Sequence, residues 1–446
     1  MRVSTLPPAD LFSAPLFAEY AADPELALDK ALLRATVDPR PFLRLFKEGA
    51  GRPSWPVPVM LGALVLQRQN GWHDRELVRQ MRDNARVRFL IGLPLGTRCA
   101  PSKTAVGSFR RALVAAGMGM ELFEQQVRWI GVHVDLVHPE KDDFAIDATR
   151  FEASAAQPTI VGLLQDGVRR VLLAVRAVAP GMIAPLDQRF RLKKWLGRRF
   201  QRCARGIESR VGRREWRRCY HKAERVLGAL GSVRDQALVA EAIAVLRRIM
   251  EERGPEGTGK PEDRLSNARD SDARFGCKGS GRHQITWHGG KVSVIAHVPT
   301  DLILALDVMP ANAVDGSAMA RCNDQAKALL QGRRLRRLHG DAAYSDEEHR
   351  YQMASRNTDV IGPRRGKVRR GRVRGGGLVA TKADRGIRSH IERVQANMVR
   401  WRHNRRAWYI GLAKGRYQAA LSAVAANLAR LRTLILAGKV SLPNLA

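Results

Sequence analysis

Asp142-Asp-Phe-Ala-Ile-Asp-Ala-Thr-Arg-Phe151 sets an apolar triplet between acids. Phe144-Ala145-Ile146 reads as a strand entering a core, which places Asp147 at the strand's end. Asp142 and Asp143 precede the apolar run and are expected in solvent. A lone Asp after a strand is ordinarily a cap or turn residue. Its chemistry depends on whether other carboxylates are brought to it.

Two further acids have suggestive settings. Lys291–Val298 and Leu302–Val308 read as a hairpin around Pro299-Thr-Asp301, and Asp315–Leu330 as a helix. Arg334–Leu338 is a short strand running into His339-Gly-Asp-Ala-Ala-Tyr344, so Asp341 also follows a strand, with Gly340 allowing a tight backbone turn. Thr358–Gly362 is a further strand. Beyond Asp384 one carboxylate, Glu392, stands against twelve Lys and Arg. No Pro or Gly interrupts Ile387–Trp408, which predicts a helix with Arg388 and Glu392 on one face. Two readings fit that face: an ordinary Arg–Glu pair, or a metal-binding carboxylate beside a phosphate-binding guanidinium.

Converging carboxylates repel each other, and a divalent cation relieves the repulsion. Hard oxygen donors suit Mg²⁺ or Mn²⁺. Two such ions about 3.5–4 Å apart can clamp a phosphodiester for in-line displacement. Asp147, Asp341 and Glu392, spaced 194 and 51 residues apart, are the candidate catalytic and metal-binding residues.

The charge balance names the partner class. The 446 residues carry 77 Lys and Arg against 43 Asp and Glu, a formal net charge of +34. That excess calls for a polyanion, nucleic acid first. An apolar content of 45% supports real cores, unlike a disordered polycation or a small architectural binder. Arg189–Tyr220 holds thirteen Lys or Arg and two acids, with Trp195 and Trp216 among them. Lys193, Lys194, Arg198, Arg199, Trp195 and Trp216 are read there as DNA contacts, with a solvated face as the alternative. The helical block around Arg68, Arg79, Arg86, Arg88, Lys103, Arg110 and Arg111 is either a groove-reading module or a support domain. The five cysteines form no CxxC pair, no apolar signal core opens the chain, and no run of about 18 apolar residues occurs, so a soluble intracellular protein without membrane partners is expected.

The chain resembles bacterial insertion-sequence DDE transposases with an InsH-like N-terminal domain. The words that carry the resemblance span most of its length: Leu77-Val-Arg-Gln-Met-Arg-Asp-Asn84, Phe89-Leu-Ile-Gly-Leu-Pro94, Ser102-Lys-Thr with Phe109-Arg-Arg-Ala-Leu113, Ile146-Asp-Ala-Thr149, Asp270-Ser-Asp-Ala-Arg-Phe-Gly276 with Lys278, Met309-Pro-Ala-Asn312 with Asp315, Gly340-Asp-Ala-Ala-Tyr344, Arg388-Ser-His-Ile-Glu-Arg393, Tyr409-Ile-Gly-Leu-Ala-Lys414 and Ala426-Asn-Leu-Ala-Arg-Leu431. Their order and spacing are more specific than any one of them.

The resemblance implies an α/β protein with an RNase H-like catalytic core, a mixed sheet flanked by helices, over 140–446. It implies an all-helical N-terminal domain at 51–135, after a lead-in at 1–50, and a basic helical insertion at about 155–275 following the first core strand. Asp147, Asp341 and Glu392 fall on the family's three acids, and Arg388 on its basic residue one turn earlier. Arg393 and Arg400 are further candidate DNA contacts. The related signature has Tyr ahead of that Arg, where Arg385 stands here, and Lys after the Glu, where Val399 and Arg400 stand. The implied activity is cleavage at element ends and transfer of the 3′-hydroxyl into target DNA, with two Mg²⁺ or Mn²⁺ ions. The implied partners are double-stranded DNA, both terminal repeats and target, and a second copy of the chain pairing the ends in the bacterial cytoplasm at the nucleoid. An RNase H-like nuclease and a catalytically inactive DNA-binding descendant remain as alternatives.

Overall fold

The computed structural model describes residues 14–46, 54–95, 98–136, 142–154, 157–197, 202–253, 263–279, 281–363 and 382–440. Among the described residues, seven α-helices precede the sheet: α1 (Ala14–Ala22), α2 (Pro24–Ala35), α3 (Val57–Asn70), α4 (Asp74–Asp83), α5 (Ala85–Ile91), α6 (Lys103–Ala115) and α7 (Glu121–His133). α3 is buried on all sides from Val59 to Arg68, as a helix apolar all round must be. Gly71, in left-handed conformation, ends it.

Six strands make one mixed sheet: β1 (Asp143–Glu152), β2 (Arg274–Lys278), β3 (Ile285–His297), β4 (Leu302–Pro310), β5 (Arg337–His339) and β6 (Asp359–Ile361). β1 is central. It pairs antiparallel with β3 and parallel with β5, which in turn pairs parallel with β6. β2 and β4 both pair antiparallel with β3. Between β1 and β2 lie α8 (Ile160–Val178), α9 (Ile183–Phe190), α10 (Lys193–Leu196), α11 (Arg210–Gly228) and α12 (Ala237–Arg253). α13 (Met319–Leu329), α14 (Glu347–Ala354), α15 (Lys382–Ala396) and α16 (Leu412–Leu436) complete the chain.

Among the described residues there are two apolar cores. The first joins α2–α7, the sheet and α16; the second is confined to residues 161–268. α16 is long and apolar enough to cross a membrane by length and composition, but most of it is buried in the first core. The Asn427 amide there accepts from the Ile303 N–H at 2.8 Å and donates to its carbonyl at 2.9 Å, completing the backbone bonds of β4.

Several sequence expectations change. β1 does not stop before Asp147 but continues to Glu152, because β3 pairs with it over its whole length past Phe144. Asp143 is buried, not solvated, and bound to His339 and Arg337. Arg68, Arg88 and Arg110, counted among the basic residues of the helical block, are buried. Arg68 donates to Ser422 Oγ at 2.7 Å and to the His403 carbonyl at 2.7 Å, and lies over the Trp408 ring. Arg110 pairs with Asp74 at 2.8 Å. Burial lowers the Arg68 guanidinium to about 9. These cations hold helices together and are withdrawn from any groove.

Candidate active site

The ladder brings the two aspartates onto neighbouring chain segments. Asp143 faces Arg337 and Ala145 faces His339 across the parallel β1–β5 pair. The same offset of 194 residues separates Asp147 from Asp341, so Asp341, two residues beyond the end of β5, follows the strand that pairs with the one carrying Asp147. Asp147 Oδ1 accepts from the Ala148 N–H at 2.8 Å, and Asp341 Oδ1 from the Ala343 N–H at 2.8 Å. Gly340 earns its place differently from the tight turn expected. A Cβ there would sit 2.8 Å from Tyr344 Cβ, so glycine admits the buried Tyr344 side chain behind the acids.

Burial pushes the Asp147 carboxyl up to about 6; Lys278 opposes the shift, and the negative charges of Asp341 and Asp315 reinforce it. Burial raises the Tyr344 phenol well above its ordinary value, and Asp147, Asp315 and Asp341 raise it further, which keeps it neutral. Its hydroxyl and Ser293 Oγ are buried near each other without a hydrogen bond of normal geometry. Asp315 is neutralised by Lys291 Nζ at 2.7 Å. Asp315, Lys291 and Ser293 are neighbours the sequence reading gave no role. Their only signal was Asp315's place after Met309-Pro-Ala-Asn312.

Glu392 stands on α15 as expected, exposed, on a helix that lies along β1 with Ile391 and Val394 buried beneath it. The helix continues as a π-helical turn over Asn397–Trp401 and ends there, short of Trp408. No ion pair joins Glu392 to Arg388 among the described residues, so the ordinary pair is not formed. Among the described residues no group of three or more His, Cys, Asp or Glu is placed to hold a metal ion. The structure brings Asp147 and Asp341 together and leaves Glu392 apart.

The candidate DNA contacts divide. Trp216 is 4% exposed in the second core, so it cannot stack on a base; α11 turns its Gly212–Trp216–Cys219 face inward. Trp195 is half-buried, with Lys222 Nζ 5.2 Å from its ring. Arg210, Arg213, Arg214, Arg217 and Arg218 form the exposed face of α11. Arg393 reaches Asp301 at 3.4 Å, beside the His390–Asp301 contact at 2.9 Å, so it secures α15 to the β3–β4 turn. Arg400 is exposed and Arg388 half-buried. Arg198 and Arg199, and the side chains of Lys193 and Lys194, lie outside the described residues.

Comparison with known families gives the class first. Residues 27–112 match a family described as Transposase domain (DUF772), and residues 373–432 match one described as Transposase DDE domain. The first match runs from α2 into α6; the second contains Arg388 and Glu392. Together they support an insertion-sequence DDE transposase, in line with the resemblance read from the sequence words. No curated protein and no solved structure matches the chain.

Proposed function

We propose that the chain cuts DNA at the ends of an insertion sequence and joins the freed 3′-hydroxyl to target DNA, using an RNase H-like core. In the first step water attacks phosphorus and the 3′-oxygen leaves. In the second that 3′-hydroxyl attacks a target phosphorus and a target 3′-oxygen leaves. The observation that carries the proposal is that Asp341, just past the end of β5, acts on Asp147 of the parallel-paired β1, whose carboxyl is raised to about 6. A central strand with an antiparallel neighbour on one side and parallel neighbours on the other is the order expected of that core. The matched transposase domains support DNA as the partner, and we read the substrate as double-stranded.

The acid pair suits a hard divalent cation. Two carboxylates, one disfavoured as an anion by burial, offer oxygen donors whose repulsion a cation removes. Asp147 and Asp341 would hold Mg²⁺ or Mn²⁺, and Glu392 is the proposed third ligand and the ligand of a second ion. The bound ions supply charge neutralisation at the reacting phosphate. Asp147 and Asp341 position that charge, and the exposed α11 arginines and Arg388 grip the backbone. The division follows the same reading: a helical N-terminal domain at 51–135, a catalytic domain at 140–446 and an insertion at about 155–275, with two copies pairing two ends in the bacterial cytoplasm.

A second reading, a binding-only descendant, is favoured by one observation: Glu392 is not gathered with the aspartates. Cleavage by the wild type, assayed beside Glu392→Gln, separates the two, because a binding-only protein cuts in neither form. The proposal expects intact DNA binding and no cleavage in this variant. Cleavage at the wild-type rate would remove Glu392 from the site.

A further inference from the structure

One buried histidine on β5, just before Asp341, reaches the two elements that bear Asp147 and Glu392. His339 is itself on β5, two residues before Asp341, and its side chain is 1% exposed. Its Nε2 lies 2.8 Å from Asp143 Oδ1 on β1, four residues before Asp147. Its Nδ1 lies 3.9 Å from Asp384 Oδ1 in the first turn of α15, eight residues before Glu392. Arg337, on the same strand, doubles both links, at 3.3 Å to Asp143 and 3.4 Å to Asp384. The side chains of Asp143 and Asp384 are 13% and 9% exposed.

We infer that His339, with Asp143 and Asp384, is a positioning device for the acid triad, which rests on the reading of that triad given above. Charges withdrawn from water are costly, and apolar residues of similar size would pack such a junction more cheaply. What an ionic junction adds is direction: each ring nitrogen faces one carboxylate, so the imidazole fixes the rotation of β1 and of α15 relative to β5. The main-chain ladder already fixes β1 against β5. α15 has no ladder, and its place depends on side chains: this junction at its start, the Asp301 contacts of His390 and Arg393 at its middle, and the apolar residues Ile387, Ile391 and Val394. The junction therefore governs Glu392 most. A displacement of about 1 Å at a reacting centre can cost roughly 100-fold in rate, which makes such a constraint worth its burial.

The test uses the full chain, with His339→Ala, His339→Gln and Asp384→Asn beside the wild type. Hydrogen exchange of α15 and α16 is the readout independent of chemistry. We expect α15 amides from Ile387 onward to exchange roughly 10-fold faster or more in His339→Ala and Asp384→Asn, with α16 unchanged. His339→Gln, which keeps a donor toward Asp143, is expected to fall between. In cleavage of end-bearing DNA, the Mn²⁺ concentration for half-maximal rate should rise by about 5-fold or more while DNA affinity holds within about 2-fold. Unchanged α15 protection, or faster exchange spread equally over α16, would overturn the inference, because the junction would then be ordinary packing. If the wild type does not cleave at all, the functional reading fails, and the exchange comparison still decides the junction.

Discussion

The sheet of the first core half-buries the acid pair Asp147 and Asp341, whereas α11 of the second core displays arginines. In the sheet, Asp147 takes its character from burial and from neighbours within reach of its field, Asp341, Asp315 and Lys278. On α11 the arginines face water, and only their number and spacing matter. The difference teaches where specificity and affinity come from in a strongly basic chain. A half-buried acid pair depends on two side chains, and a single substitution destroys it. An exposed cationic face is a sum of small, salt-screened contributions, and single substitutions wear it down.

The contrast orders the expected effects. Asp341→Asn should lower single-turnover cleavage by about 1,000-fold or more while a mobility-shift assay shows unchanged DNA affinity. Trp216→Ala should destabilise the insertion by about 3 kcal/mol in a denaturant titration, because it opens a cavity in the second core, whereas a base-stacking Trp would cost binding and spare stability. Asp147→Asn should stabilise the metal-free protein by about 1–2 kcal/mol at pH 8. The sign follows from a folded-state value of about 6 against an ordinary 3.8. Stability associated with the protonated acid is full below pH 3.8, is lost as pH rises toward 6, and the variant's advantage should vanish below about pH 4. Smallest per residue, Arg214→Gln and Arg217→Gln should each reduce the salt slope of DNA binding by about one, with no change of sequence preference.

Much of the sheet side was legible. The hairpin, the short strand before Asp341, the strand around Val360 and the α15 and α16 helices all carry local signals, namely alternation, turn residues or uninterrupted helical spacing. What the sequence hid depends on partners far along the chain. Arg68 reads as a surface cation until Ser422, His403 and Asn404 close around it. Asp143 reads as solvated until β5 delivers His339 and Arg337. Trp216 reads as a stacking aromatic because its neighbours are arginines, yet its position three residues before Cys219 and four after Gly212 puts it on the inner stripe of α11. The Arg388–Glu392 spacing predicted a shared face correctly, but could not say how far that face lies from Asp147.

Cleavage of labelled DNA bearing the flanking element ends, run with Mg²⁺, with Ca²⁺ and with Asp147→Ala, tests the central claim most directly. The account predicts nicking at the ends that requires Mg²⁺ and disappears in the variant. End binding without cutting in Mg²⁺, or cutting that survives Asp147→Ala, would contradict it.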